Sequence, residues 1–397
     1  MTGENFSVAI ACGGTGGHLF PGLSVAERLR SHGCEVALFV SPKQVDQEAA
    51  RSIAGMRVVT LPAAGFQQGS RIAFLRGLRR SYAVAKNLFA ERPPDAALAM
   101  GGFTSLAPIL AAKKFKAASF LHESNTVPGR ANCWLSRLVD HAFTGFPSAA
   151  ASLRARQVTV TGTPVRPEFK PRDAAACRAA LGFDPALPLV LVIGGSQGAG
   201  AINELVARSL PLVKKSVPDW QWLHLAGPRD AAKMTEAYAA QGITAKVHSF
   251  SSQMELVLGA ANAAVSRAGA SSLSEFAAMR LPAVLVPYPA ATGDHQLHNA
   301  RYFAREGAAR LLEQREANPE LLVRMLMDLV LSWTTRELMQ KALESCQAPH
   351  AADHIAEIIL HAVRARSPAR SPEPVSLTSA SPPLPASANG LPEEVAV

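Results

Sequence analysis

Residues 6–22, FSVAIACGGTGGHLFPG, lead from an apolar segment through four glycines to a histidine and a predicted helix. A glycine-rich turn between a strand and a helix brings backbone N–H groups and the positive end of the helix dipole near an anion, as in phosphate-binding turns. The alternative is that the glycines only allow the strand and the helix to pack tightly. The segment VIGGSQGAG (192–200) repeats the pattern later in the chain, which favours phosphate binding.

The first glycine loop does not match the two best-known nucleotide-binding motifs. Gly14 and Gly16 supply the first two glycines of a dinucleotide-binding fingerprint, but Leu19 occupies the third position. The second predicted strand ends in FVS (39–41), where a ribose-binding Asp or Glu would stand. A Walker lysine is also absent from the loop. The sequence therefore argues against a dinucleotide fold of the usual kind and against a P-loop.

On both sides of these loops, short β-prone segments alternate with helical patterns, which predicts βαβ units and parallel sheets. The first series of strands is FSVAIAC, EVALFV, RVVTL, DAALAM, AASFLH and HAFTG, with helical stretches such as 22–32, 71–91 and 130–138. A Pro-rich, charged linker at 161–173 precedes the second series, LPLVLVIGG, WQWLHLAG, AKVHSF, AAVSRAG and PAVLVPY. We therefore expect two similar α/β halves.

Composition narrows the class of protein. The chain has 397 residues, of which 48% are hydrophobic, and a net charge of +9. This charge favours an anionic partner: nucleic acid, a phosphate-rich substrate or an acidic membrane surface. No RNA- or DNA-binding motif is present, so nucleic acid is not predicted.

The cysteines and the apolar segments indicate where the protein works. Five scattered cysteines without C-x-x-C spacing predict neither a disulfide framework nor a zinc site, and favour a reducing cytosol. The N-terminus lacks a basic start and is interpreted as a strand rather than a secretory signal. The uncharged stretch 96–112 is too short for a comfortable membrane span, so any membrane contact is expected to be peripheral.

Seven motifs, in order, resemble those of the MurG family, the lipid II-forming N-acetylglucosaminyltransferases of glycosyltransferase family 28. They are GGTGGHLFPG (13–22), MGGFTS (100–105), HESNTVPGRAN (122–132), GTPVR (162–166), GGSQGA (194–199), SRAGASSLSE (266–275) and DHQLHNA (294–300). The similarity extends from about residue 6 to residue 360.

The resemblance implies an α/β protein of the GT-B fold, with two Rossmann-like domains whose parallel sheets face each other across a cleft. Residues 1–163 would form the acceptor-side and membrane-side domain, and 164–345 the domain that binds UDP-N-acetylglucosamine (UDP-GlcNAc). A helix at 346–366 would pack back toward the N-terminal domain. The tail, 367–397, is rich in Pro, Ser and Ala and is predicted to be disordered.

The resemblance also implies an activity: inverting transfer of N-acetylglucosamine from UDP-GlcNAc to lipid I, giving lipid II. The protein would act peripherally at the cytoplasmic face of the bacterial inner membrane, with other cell-wall synthesis proteins as possible partners. No cofactor or metal is expected, since no convincing Asp-x-Asp segment is found, although stimulation by magnesium stays open. The alternatives are a related transferase acting on another lipid such as diacylglycerol, and a non-catalytic sugar-nucleotide-binding protein.

Donor-site residues follow from the motifs. Ser196, neighbouring backbone amides and Arg166 would bind the diphosphate. Glu275 would accept the ribose hydroxyls, unless it is only a solvated glutamate in a first helical turn. The backbone at 250–251 would hold the uracil. The full predicted donor set is Thr15, Gly16, Gly17, Asn125, Arg166, Ser196, Ser251, Ala270, Ser271, Ser272, Leu273, Ser274, Glu275 and Gln296.

Asn125 and Gln296 would hydrogen-bond the transferred sugar, because an amide both donates and accepts. Some family members carry two consecutive glutamines at this position, whereas this chain has His295 and Gln296. This difference leaves the number of sugar contacts open.

Acceptor-side residues centre on His18. An imidazole titrates near neutral pH and would take the proton from the acceptor's 4-hydroxyl. The alternative is a helix-start histidine that binds its own backbone or the acceptor diphosphate. Gly101 and Gly102 would contact the acceptor or support the site. His122 and Glu123 would either orient the acceptor or complete a polar network behind Asn125.

The segment 71–89, RIAFLRGLRRSYAVAKNLF, predicts an amphipathic helix. Its apolar face is expected to hold Phe74, Leu75, Leu78, Tyr82, Ala85 and Phe89, and its basic face Arg76, Arg79, Arg80 and Lys86. The basic face, with KKFK (113–116) nearby in sequence, is either solvated surface or a contact for anionic lipid.

Overall fold

The computed structural model describes residues 6–14, 16–43, 55–62, 71–195 and 198–366. Two predicted site residues, Thr15 and Ser196, and the tail from residue 367 lie outside the described residues.

The N-terminal half forms a seven-stranded parallel sheet in the order β3-β2-β1-β4-β5-β6-β7. Its strands are β1 (Ser7–Ala11), β2 (Glu35–Val40), β3 (Arg57–Thr60), β4 (Ala96–Ala99), β5 (Ala118–Glu123), β6 (His141–Thr144) and β7 (Gln157–Val160). Strands β1, β4, β5 and β6 are almost entirely buried, as expected for parallel strands covered by helices on both faces.

The C-terminal half repeats the arrangement in a six-stranded parallel sheet of order β10-β9-β8-β11-β12-β13. Its strands are β8 (Leu189–Ile193), β9 (Gln221–Leu225), β10 (Ala245–His248), β11 (Ala263–Ser266), β12 (Ala283–Leu285) and β13 (Arg310–Leu311). In each sheet the strand order reverses beside the first strand, and ligands bind at the carboxyl ends of strands at such a point. The predicted fold class, two Rossmann-like α/β halves, is confirmed.

Helices connect the strands in both halves. They are α1 (Gly16–Ser31), α2 (Arg71–Glu91), α3 (Leu106–Lys114), α4 (Arg130–Leu135), α5 (Pro147–Ala150), α6 (Ala174–Ala180), α7 (Gly200–Ser216), α8 (Ala231–Ala240), α9 (Met254–Ala260), α10 (Ala270–Met279), α11 (His295–Arg305), α12 (Pro319–Leu331), α13 (Trp333–Cys346) and α14 (Ala351–Arg366). Local sequence explains some helix starts. Asn318 caps α12 by accepting from the Leu321 N–H at 2.9 Å, and Pro319 follows at the first helical position.

Two helix boundaries differ from the sequence prediction, and two strands were not predicted. Helix α1 begins at Gly16 rather than at residue 22, so His18 lies in its first turn. Helix α4 ends at Leu135 rather than at residue 138. Strands β7 and β13 were not predicted, because β7 has only four residues and β13 only two.

The apolar face of α2 was predicted with one residue too many. Ala85 and Phe89 are buried and Phe74, Leu78 and Tyr82 are partly buried, but Leu75 is 57% exposed. Ile72, one turn earlier, is 61% exposed. The start of α2 therefore presents two aliphatic side chains to solvent beside its arginines.

The last helix, α14, packs into the N-terminal core. Its apolar residues, including Ile355 and Ile359, belong to the same buried cluster as Leu23 of α1 and Ile10 of β1. Two ion pairs flank this packing: Arg28 Nε lies 3.0 Å from Asp353 Oδ1, and Arg366 Nη2 lies 3.1 Å from Asp140 Oδ2. Among the described residues, every helix is too short or too polar to span a bilayer.

Candidate active site

The loops at the carboxyl ends of the two sheets meet where the halves touch. Helix α1 of the N-terminal half contacts α10 of the C-terminal half. Each of these helices follows the glycine-containing loop after an inner strand, β1 or β11. The contact therefore brings the segments that carry His18 and Glu275 to the same cleft.

His18 lies against the backbone of Gly101 and Gly102. A Cβ atom added to Gly101 would stand 3.1 Å from His18 Nε2, and one added to Gly102 would stand 3.2 Å from His18 Nδ1. Both glycines have a positive φ, 105° and 77°, a backbone conformation that residues with a side chain rarely adopt. The two glycines thus leave room for the imidazole, which makes them supporting residues of His18.

Two hydroxyls that sequence reasoning did not select hold this region together. Thr104 Oγ1 donates to the carbonyl of Gly13 at 2.6 Å. Ser105 Oγ lies within hydrogen-bond distance of the carbonyls of Gly101, at 2.7 Å, and Ala11, at 3.1 Å. Both are buried at the end of the MGGFTS motif, so the motif was the available signal. Gly16 and Gly17, half-buried, open α1 beside them.

Glu123 is the centre of a buried polar network at the end of β5. Its Oε1 accepts from the backbone N–H of Asn125 at 2.9 Å and from Asn125 Nδ2 at 3.0 Å. Its Oε2 accepts from the N–H of Gly129 at 3.0 Å and from Asn132 Nδ2 at 2.7 Å. Of the two roles considered for Glu123, these contacts are those of the network behind Asn125.

His122 is buried beside this network and faces away from solvent. Its Nε2 lies 3.0 Å from the carbonyl of Gly162, which can only accept, so Nε2 carries the proton. Ser124 Oγ then donates to Nδ1 at 3.2 Å. Burial lowers the pKa of His122, which keeps the ring neutral. The hydrogen bond from His122 to the Gly162 carbonyl joins β5 to the segment that connects the two halves.

Arg166, on that connecting segment, lies between the two halves. Its guanidinium is 5.0 Å from the ring centre of Phe20 on α1 and 4.8 Å from that of Phe169. Nη1 pairs with Glu168 Oε1 at 3.0 Å. The cation is thus held at the domain contact by two aromatic faces and one carboxylate.

Glu275 lies on α10, close enough to Arg166 and Glu168 for their charges to act on it. Burial raises the pKa of Glu275 to about 7, the charge of Arg166 opposes this increase, and that of Glu168 adds to it. The observed environment is that of a half-buried carboxyl facing the domain contact.

The remaining predicted donor residues of the C-terminal half lie in the first two turns of α10, at the start of α11 and in the loop after β10. Ala270, Ser271 and Ser272 form the first turn of α10, whose N–H groups lack partners within the helix. Ser274 Oγ donates back to the Ala270 carbonyl at 3.0 Å. The side chain of Leu273 is buried in the core, so only its backbone is available to a ligand.

Gln296 and Ser251 complete the predicted set. Gln296 Oε1 accepts from the N–H of Tyr288 at 2.9 Å and from that of Ala268 at 3.4 Å. Ser251 Oγ accepts from the N–H of Gln253 at 3.2 Å, beside an exposed Phe250.

Asn299 and Thr126 are site residues that sequence reasoning missed. Asn299 Nδ2 donates to Asn125 Oδ1 at 3.0 Å, which directly joins α11 to the loop that follows β5. Asn299 is the sixth residue of the DHQLHNA motif and Thr126 lies within HESNTVPGRAN, so both stood in segments already selected. Their pairing has no signal in the sequence, since 173 positions separate them.

Comparisons with known proteins agree with this architecture. Residues 8–144 match the glycosyltransferase family 28 N-terminal domain, and residues 189–356 match the glycosyltransferase family 28 C-terminal domain. A crystal structure of Acinetobacter baumannii MurG superposes with a TM-score of 0.69 at 25% identity, covering 90% of this chain and 99% of that one.

Two curated relatives are named UDP-N-acetylglucosamine–N-acetylmuramyl-(pentapeptide) pyrophosphoryl-undecaprenol N-acetylglucosamine transferase. The one from Anaeromyxobacter dehalogenans is 33% identical in an alignment 399 residues long. This alignment covers 92% of this chain and 99% of the relative. The one from Nitratidesulfovibrio vulgaris is 37% identical over 337 residues, which cover 81% and 89%. With both halves matched and the relatives aligned over most of their length, the chain belongs to glycosyltransferase family 28.

Proposed function

We propose that this protein is an inverting glycosyltransferase that moves N-acetylglucosamine from UDP-GlcNAc to the C4 hydroxyl of N-acetylmuramic acid in lipid I. The products are lipid II and UDP. The observation that carries the proposal is the match, at 33% identity over 92% of the chain, to a transferase named for this transfer. The meeting of the His18 and Glu275 segments at one cleft supports it.

In the proposed reaction the acceptor hydroxyl attacks the anomeric carbon of the donor sugar. His18 takes the hydroxyl proton as the new C–O bond forms. The bond between the anomeric carbon and the diphosphate oxygen breaks, and UDP leaves with the bonding electrons. Arg166 and the N–H groups of the 194–199 loop would stabilise the negative charge on the diphosphate.

Donor and acceptor would bind on opposite sides of the domain contact. The ribose would lie at Glu275 and the diphosphate at the start of α7 and at Arg166. The transferred sugar would reach Asn125 and Gln296. Thr15 and Ser196 stay predictions for this site.

An acceptor-dependent assay tests the proposal. We expect the purified protein to release UDP from UDP-GlcNAc only when a lipid I analogue is present, with GlcNAc appearing on that analogue. UDP release with diacylglycerol instead would indicate the related lipid transferase. UDP-GlcNAc binding without release with either acceptor would indicate a non-catalytic binding protein.

We also propose that the start of α2 binds an anionic membrane surface. Arg76, Arg79 and Arg80 are exposed there, next to the exposed Ile72 and Leu75. Helix α3 packs against α2 and ends in two exposed lysines, at 113 and 114. Aliphatic side chains among basic ones suit a surface with anionic headgroups and an apolar interior.

Reversing Arg76, Arg79 and Arg80 to glutamate should weaken binding to anionic vesicles at least about tenfold, since each basic residue contributes roughly 1 kcal/mol near such a surface. Activity on a short-chain, soluble acceptor should stay unchanged. Vesicle co-sedimentation at low and high salt measures the effect.

The matched control reverses three exposed basic residues of the C-terminal half, Arg208, Lys215 and Lys233, which changes the net charge equally. Equal vesicle binding by the two triple variants would contradict the membrane proposal for α2.

A further inference from the structure

Asn299, on α11, is fully buried where the two halves meet. Its side-chain amide makes four hydrogen bonds. Nδ2 donates to Asn125 Oδ1 at 3.0 Å and to the carbonyl of Ala268 at 3.2 Å. Oδ1 accepts from the N–H of Thr126 at 3.0 Å and from Thr126 Oγ1 at 2.9 Å.

These partners allow only one orientation of the amide. If it were flipped, Nδ2 would face the N–H of Thr126 and Oδ1 would face the carbonyl of Ala268. Both contacts would then leave buried polar groups unpaired, at a cost of about 1–3 kcal/mol each. A carboxylate in place of the amide would likewise set oxygen against oxygen at Asn125 and Ala268. The position is thus suited to asparagine.

The four hydrogen bonds join the two sides of the proposed reaction. Ala268 lies in the loop that leads into α10, and its N–H also contacts Gln296, one turn before Asn299. Asn125 and Thr126 belong to the loop after β5 in the other half. Asn299 therefore connects the segment before Glu275 to the loop that would contact the transferred sugar.

The contacts continue from Asn125 toward His18. Asn125 Nδ2 donates to Glu123, and Glu123 also accepts from Asn132 Nδ2. That Asn132 nitrogen stands 3.0 Å from where a Cβ on Gly101 would lie, and His18 Nε2 stands 3.1 Å from the same point. A series of side-chain hydrogen bonds thus runs from Asn299 through Asn125 and Glu123 to Asn132, which lies with His18 beside Gly101.

We propose that Asn299 is a positioning residue that holds the Asn125–Thr126 loop in register with the donor-binding half. The inference rests on the proposed transferase activity. In this role Asn299 sets the distance between the transferred sugar and the acceptor without binding the nucleotide. Its loss therefore affects the chemical step more than it affects donor binding.

The kinetic test uses the full chain with Asn299→Ala and Thr126→Val, alone and combined. We expect Asn299→Ala to lower kcat for transfer at least about tenfold, since small misplacements of reacting groups are costly. The UDP-GlcNAc dissociation constant should change far less. The double variant should be no slower than Asn299→Ala alone, because contacting residues are not additive. Thr126→Ser, which retains the hydroxyl, should keep more activity than Thr126→Val.

A second readout does not depend on activity. Hydrogen exchange of the Thr126 amide, whose N–H donates to Asn299, should accelerate in Asn299→Ala. The matched control is Asn203→Ala, which removes an equally buried amide whose side-chain partners, Ala226, His224 and Asp230, all lie in the C-terminal half. The control should lose comparable stability and leave exchange in residues 124–130 unchanged.

Unchanged kcat and unchanged exchange in Asn299→Ala would overturn the proposal, as would strictly additive effects in the double variant. If Asn299→Ala does not fold, the comparison of Thr126→Val with Thr126→Ser tests the proposal instead. Equal kcat values for these two variants would then overturn the proposal. A wild-type protein that transfers no GlcNAc would instead refute the proposed function. The exchange comparison would still decide whether Asn299 holds the loop.

Discussion

Replacing His18 with alanine is expected to lower kcat by roughly 10²–10⁴-fold, the usual contribution of a general base. The physical reason is that the acceptor's 4-hydroxyl is a weak nucleophile until its proton is removed. Donor binding should persist, because the proposed nucleotide contacts lie mainly on the C-terminal half. The acidic limb of the pH–rate profile should flatten, since that limb reports the base in its protonated form.

Steady-state kinetics across pH, together with a donor titration, check this expectation. His32→Ala, an exposed position in the turn directly after the same helix, is the matched control and should retain wild-type kinetics. If His18→Ala keeps the acidic limb and instead loses acceptor affinity, His18 binds the acceptor diphosphate and another group is the base.

Glu275→Ala should weaken UDP-GlcNAc binding roughly 10- to 150-fold, the equivalent of the 1.5–3 kcal/mol of a hydrogen bond to a charged group. In the free protein burial raises the pKa of Glu275 to about 7. Ribose hydroxyls donate to the carboxylate, so the donor prefers the deprotonated form. Affinity should therefore be highest above pH 7 and should fall as the pH drops below 7.

Calorimetric titration with UDP-GlcNAc at several pH values measures both effects. UDP-GlcNAc is preferable to UDP, whose terminal phosphate itself titrates near pH 6. Glu275→Gln should lose the pH dependence along with part of the affinity, whereas Glu236→Gln, an exposed carboxyl of α8, should keep both. An unchanged pH profile in Glu275→Gln would remove this carboxyl from the donor site.

Local signals predicted the two α/β halves and the glycine-rich loops, whereas the other segments of the candidate site were selected by their resemblance to the MurG family. Glycine-rich turns after apolar runs placed the loops at 13–17 and 194–199, and the alternation of strands and helices predicted both parallel sheets. Sequence patterns were insufficient where residues far along the chain determine whether a side chain is buried or a short segment pairs as a strand. Leu75 follows helical periodicity, yet its side chain is 57% exposed. Strand β13 has two residues, too few to show a period.

The site shows the same division between local and distant effects. His18, Glu123 and Glu275 stand in motifs and were selected from the sequence. The pKa shift of Glu275 was not predictable, since it arises from burial at a contact between two halves. Asn299 and Thr126 were missed because their role lies in the hydrogen bonds between them, and only the completed fold brings the two residues together.

The packing of α14 has a consequence for the order in which the chain folds during synthesis. Residues 351–366 are the last helix of the described chain, yet Ile355 and Ile359 belong to the core of the first half. While the ribosome still holds this helix, the apolar surface of α1 that it covers stays uncovered. The core of the second half extends to Leu343 of α13, so all of its residues precede α14 in the chain. The N-terminal domain is therefore completed last, and a nascent chain stopped before residue 351 leaves the apolar surface of α1 that packs against α14 exposed.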